Sequence, residues 1–64
     1  MPNSVELEVQ VLVHTPMALR VATEKGQAWV PRSQVTDWSP GHADMEDATS
    51  IFIPQWLAEE KGLV

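Results

Sequence analysis

The chain reads as a mainly-β protein: a small five-stranded barrel or strongly curved antiparallel sheet with one short C-terminal α-helix. Three observations predict it. Val5, Leu7, Val9, Val11 and Val13 alternate with more polar residues over ten positions. Several short stretches of strand-forming residues are separated by Gly and Pro turns. The only stretch with helical character is Gln55 to Lys61, closed by Gly62.

Sixty-four residues make a single small domain, 1–64. A chain this size buries only about 60% of the surface its unfolded form exposes. Six of its apolar residues are alanine, so the core is thin. With no cysteine, neither disulfides nor thiolate metal ligands support it. The N-terminus, Met1-Pro2-Asn3-Ser4-Val5-Glu6, carries no positive charge, and no apolar run reaches the length of a signal or a membrane span. These features predict a protein with no membrane partner, located in the cytoplasm.

The first strand is expected over Val5 to His14, with its valines on one face and Glu6 and Glu8 on the other. Leu12 interrupts the polar face and suggests cover on both sides there. Thr15-Pro16 ends the strand. Met17 to Thr23 follows, with Leu19, Val21 and Thr23 opposing Ala18, Arg20 and Ala22. Glu24-Lys25-Gly26 supplies the turn into Gln27–Val30, which Pro31 closes. Two registers are open. A three-residue loop sets Trp29 opposite Val21 in the core. A two-residue loop sets Val30 opposite Val21 and turns Trp29 out beside Arg20 and Ala22.

Pro31-Arg32-Ser33-Gln34 predicts a tight turn or one turn of 3₁₀ helix. Val35 to Trp38 predicts a short strand. Residues 39–48, with Pro40, Gly41 and three carboxylates, read as an acidic flexible loop. Thr49 to Ile53 predicts another strand, with Ile51 and Ile53 on one side. The closing helix starts at Pro54 and ends on Gly62, with Leu63 folding back in a Schellman motif. It is too short to stand alone, so it docks through Trp56, Leu57 and Leu63.

Ala28-Trp29-Val30-Pro31-Arg32-Ser33-Gln34-Val35 resembles the closing strand and turn of Src-homology-type barrels, in which an aromatic strand passes through proline into a 3₁₀ turn. The peptide groove of those domains needs aromatic residues on earlier loops, and this chain has no tyrosine. Trp29 to Val35 and Ile53 to Leu63 together are similar to short uncharacterised proteins of phages and prophages. These share a Trp-Val/Ile-Pro-Lys/Arg-Ser motif and a terminal Pro-x-Trp-Leu-Ala-x-x-Lys-Gly-Leu. That resemblance implies a phage or mobile-element accessory protein acting in a bacterial host. It implies no catalytic residue.

No enzyme is expected. The chain lacks a cysteine nucleophile and any Gly-x-Ser-x-Gly elbow. His42, Asp44, Glu46 and Asp47 crowd one loop, but Gly41 precedes the cluster instead of sitting inside it, as a calcium loop requires. No metal and no cofactor are therefore expected. Nine acidic residues against four basic ones give a net charge of −5, the wrong sign for holding phosphates. The hairpin alone is locally basic, through Arg20, Lys25 and Arg32 around Trp29.

The expected function is non-catalytic binding of a host or phage protein, with an acidic inhibitor of a nucleic-acid-handling or defence enzyme as the sharpest form. The candidate partner-binding residues are Trp29, Arg20 and Arg32 at the hairpin, then Trp38 with Asp44, Glu46 and Asp47. Trp38 is the tryptophan expected to be exposed and Trp56 the one expected in the core. A single-stranded nucleic-acid module using the Arg20/Trp29/Arg32 face is the alternative. A small self-associating structural protein, dimerising through a sheet edge, is another.

Overall fold

The computed structural model describes residues 3–64; Met1 and Pro2 of the N-terminal stretch without positive charge lie outside the described residues. Among the described residues, six strands form two three-stranded antiparallel sheets. One sheet has the order β1 (Ser4–Glu8), β6 (Ser50–Pro54), β5 (Asp37–Ser39). The other is a meander of β2 (Gln10–His14), β3 (Ala18–Thr23) and β4 (Gly26–Pro31). A short helix, α1 (Gln55–Glu60), closes the chain and packs against β6 and β1. The fold is thus mainly β with antiparallel sheets and a C-terminal helix. The strand pairing makes two sheets and does not close into a barrel among the described residues.

The ten-residue alternating segment serves both sheets. Leu7 lies opposite Ile51 and Val5 opposite Ile53. The ladder ends where the Val9 N–H donates to the Thr49 carbonyl at 3.0 Å. Gln10 and Val11 then pair with Ala22 and Val21 in the other sheet. One uninterrupted sequence pattern is therefore two strands, because the chain bends at Val9 while its apolar residues stay pointed into the same interior.

Leu19, Val21, Val30, Ile51 and Ile53 are fully buried and form the centre of that interior. Each contributes roughly 1.5–3 kcal/mol by leaving water. Leu7, Val35 and Ala48 border them, and Leu57, Ala58 and Leu63 close the cluster from the C-terminus.

Past Val11 the alternation fails. The register shifts between Val11 and Val13, so Leu12 has no partner and Val13 lies opposite Arg20. This is a β-bulge, in which an extra residue exchanges the two faces of the strand beyond it. Val13 was expected inward and is instead 45% exposed; Leu12, expected to be covered, is 41% exposed.

The β3–β4 turn is two residues, Glu24-Lys25, with Thr23 opposite Gly26 and Val21 opposite Ala28. Neither register weighed from sequence has that alignment. The two-residue loop with Trp29 facing outward is the nearer. Gly26 takes φ +135°, which an L side chain rarely adopts, and so lets the second strand start one residue early.

After Pro31, residues Arg32–Gln34 make the expected 3₁₀ turn, with the Val35 N–H returning to the Arg32 carbonyl. Pro54 ends β6 and stands just before α1, so it caps the helix and is not its first residue. At the other end the Leu63 N–H donates to the Ala58 carbonyl and the Gly62 N–H to that of Glu59, with Gly62 at φ +71°. This is the Schellman geometry, and it folds Leu63 into the core.

Trp56 is not in the core; it is 57% exposed. Leu57 and Ala58 are the helix residues buried against the sheet. At 100° per residue Trp56 lies roughly 150° away from the direction midway between them. Trp38 differs in the opposite sense. It pairs with Ile51 on the inward side of β5 and is packed against the core.

The core and the helix terminus should differ sharply from the bulge in mutational cost. Ile51→Val is expected to cost about 1 kcal/mol and Gly62→Ala about 1–2 kcal/mol. Leu12→Ala should cost less than either. Urea denaturation followed by circular dichroism measures all three, and a Leu12→Ala cost matching that of Ile51→Val would contradict this placement of the bulge.

Candidate functional site: the outer face of the three-stranded meander

Residues of β2, β3 and β4 that face away from the core form a row across the sheet. Val13 lies opposite Arg20, and Arg20 lies opposite Trp29. Leu12 adds a further exposed apolar side chain at the bulge. Of the six large apolar side chains exposed on the described surface, Val13 and Trp29 flank Arg20 in this row and Leu12 is next to Val13 in the chain. Met17, the most exposed of all, sits in the turn that leads into β3.

Arg20 is held in place twice. Its guanidinium carbon lies 5.9 Å from the centroid of the Trp29 ring, a cation–π distance. Its Nε and Nη2 both donate to Gln27 Oε1, at 3.2 and 2.9 Å. Gln27 faces outward too, opposite Ala22 on the neighbouring row. The face therefore presents a fixed cation and an indole, bordered by aliphatic residues. Such a surface loses water cheaply and still carries directional donors, the combination found at the centre of protein interfaces.

Arg32 lies elsewhere. Its Nε donates to the Thr15 carbonyl at 2.7 Å, and its Nη1 meets Glu46 Oε2 at 3.3 Å. This is the only ion pair among the described residues. It ties the β2–β3 turn to the acidic loop, at the short 3₁₀ turn Met45–Asp47. The loop is further anchored by Trp38, whose Nε1 donates to the Ala43 carbonyl at 2.8 Å, and by the Thr49 N–H to the Ser39 carbonyl. Met45 packs against the core and Ala48 is buried. Asp44 and Asp47 remain exposed at the loop surface. The seven candidate residues thus divide: Arg20 and Trp29 share the outer face, while Arg32, Glu46 and Trp38 hold the loop.

The Glu46 carboxyl titrates below its ordinary value. Its own backbone N–H is the largest cause, partial desolvation opposes it, and the hydrogen bond and charge of Arg32 add to the lowering, with a smaller share from His14. Among the described residues no three His, Asp or Glu side chains come close enough together to hold a metal ion.

A second feature lies where the two sheets part. An open cleft of about 950 Å³ runs between the end of β1 and the end of β3, with Glu6, Glu8 and Glu24 around it. Ser50 Oγ donates to Glu6 Oε2 at 3.2 Å, which fixes one of these carboxylates. Glu24 joins the two strand-one glutamates here only because the sheets bring distant turns together.

Leu12 and Val13 are surface residues that the alternating pattern does not reveal. The one signal available was Leu12 breaking the polar alternation, which marks an irregular strand without saying which residues it turns outward. The chain matches no protein-family model, no curated protein and no solved structure.

Glu46 supplies a pH-dependent contribution. Because its folded value lies below the unfolded carboxylate value of about 4.3, the stabilisation is present above that pH and is lost as pH falls through the folded value. Glu46→Gln should therefore melt below the wild type at neutral pH and converge with it in acid. A melting difference independent of pH would contradict this.

Proposed function

We propose that this chain is a non-catalytic binding protein that recognises a protein partner through the outer face of β2, β3 and β4. The observation that carries the reading is the cross-strand row of Val13, Arg20 and Trp29 beside Leu12. A thin core has little reason to leave so much of its apolar material outside, and an exposed Trp beside a held Arg is the residue combination enriched at protein interfaces. The resemblance to short phage and prophage proteins supplies the setting, a bacterial cytoplasm.

Electrostatics supports a basic partner. The net charge of −5 is carried by the cleft glutamates, the acidic loop, and Glu59 and Glu60 on the helix. Such a field steers association toward positive surfaces. In the phage setting, nucleic-acid-handling and defence enzymes have that character, and occupying their clefts would make this an inhibitor.

Single-stranded nucleic acid is supported less well. Arg20 already stands over the Trp29 ring that a base would stack on, and Arg32 is committed to Glu46.

Trp29→Ala should weaken partner binding by about thirtyfold or more, the loss of one interface hot spot. Arg20→Ala should weaken it to a similar degree, and Trp56→Ala should leave it near wild type. Capture from host lysate by each variant, followed by titration of the recovered protein, measures this. Equal capture by wild type and Trp29→Ala would rule out the face as the binding surface.

A further inference from the structure

β4 ends its sheet, with a hydrogen-bonded neighbour on one side only. Which of its backbone groups are free follows from parity. Along an antiparallel pair, residues alternate between exchanging both backbone hydrogen bonds with their partner and turning those groups away. The Arg32 N–H donates to the Met17 carbonyl at 3.0 Å, and this pair continues the register of Leu19 with Val30 and Val21 with Ala28. Those pairs are therefore the bonded ones. The N–H and C=O groups of Gln27 and Trp29 point out of the sheet, and no other described residue bonds to them.

Free edges are normally blunted by charge or by shortness. β1 carries Glu6 and Glu8, and β5 is three residues long and begins with Asp37. β4, Gly-Gln-Ala-Trp-Val-Pro, has six residues and no charge.

We propose that β4 is the interface of a two-fold homodimer, in which β4 of one copy pairs antiparallel with β4 of a second about an axis through Ala28. With Gln27 opposite Trp29 of the second copy, every outward N–H meets an outward C=O. Sliding the copies one way sets Gln27 opposite Pro31, which has no N–H to give. Sliding them the other way recruits Lys25, whose N–H is already given to Thr23 Oγ1 at 3.0 Å.

Charge favours the same register. It sets Glu24 of one copy opposite Arg32 of the other, twice by symmetry, and Arg32 Nη2 is left over from the Thr15 and Glu46 contacts that use Nε and Nη1. Glu24 is exposed and has no ion-pair partner among the described residues. The paired sheets become one six-stranded surface that displays two copies of the Arg20–Trp29 pair. Edge pairing uses backbone groups and leaves the outer face open, so it stands or falls separately from the partner reading.

Analytical ultracentrifugation of the full chain, from about 10 μM to about 1 mM, should show the mass rising from 7.1 kDa toward twice that value. Gln27→Pro removes an outward donor at a position where an edge strand tolerates proline. It should weaken the dimer about tenfold or more, whereas Gln27→Ala should change it little. Glu24→Lys should also weaken it. Amide exchange of Gln27 and Trp29 should slow as concentration rises, which requires no variant to fold. A monomer at the highest concentration, a dimer indifferent to Gln27→Pro, or concentration-independent exchange at those two amides would each overturn the proposal.

Discussion

Everything in this molecule depends on one strand segment, Ser4 to His14, belonging to two sheets. Val9 is the hinge of that arrangement: its N–H closes the ladder to Thr49, and the next residue opens the ladder to Ala22. Each three-stranded sheet has one apolar face that must be covered, and the two sheets cover each other around one core. Sharing a strand lets Leu7, with Val5, Val9 and Val11 packed around it, contribute to a single interior. The helix then closes that interior with Leu57, Ala58 and Leu63.

A core supplied so economically explains where the tryptophans go. Each could bury a large area, yet only Trp38 packs against the core, where its indole N–H also secures the Ala43 carbonyl. Trp56 turns out because the helix presents Leu57 and Ala58 to the sheet. Trp29 turns out because the hairpin has a two-residue turn, and Arg20 then covers its ring. The candidate interface is a by-product of register, sharpened by a bulge that sends Val13 to the same side.

Charge is arranged in the same economical way. The basic hairpin that composition suggested does not persist as a unit. Arg20 goes to the outer face, and Arg32 is drawn to Glu46, where it secures the loop. Of the remaining carboxylates, Glu6, Glu8 and Glu24 stand around the cleft, Glu59 and Glu60 on the helix, and Asp44 and Asp47 on the loop surface. What the outer face presents is therefore a small fixed cation beside exposed apolar side chains, inside a wider negative field.

Legible in the sequence were the mainly-β class with a short C-terminal helix, the 3₁₀ turn after Pro31, the strand at Ile51 and Ile53, and the Schellman end that buries Leu63. These follow from local rules: period-two alternation, proline's missing N–H, and glycine's access to positive φ. Arg20 and Trp29 were legible as candidates for the same reason, lying on facing strands of one hairpin. The rest, including two sheets in place of a barrel, depends on long-range pairing. The break at Val9, the bulge at Leu12 and the alignment of Val21 with Ala28 depend on which distant strand each residue meets. A one-residue difference in that meeting exchanges inside for outside, and nothing local to the residue records it. So the same valine alternation that announced the fold could not say that Val13, alone of its series, would face the solvent.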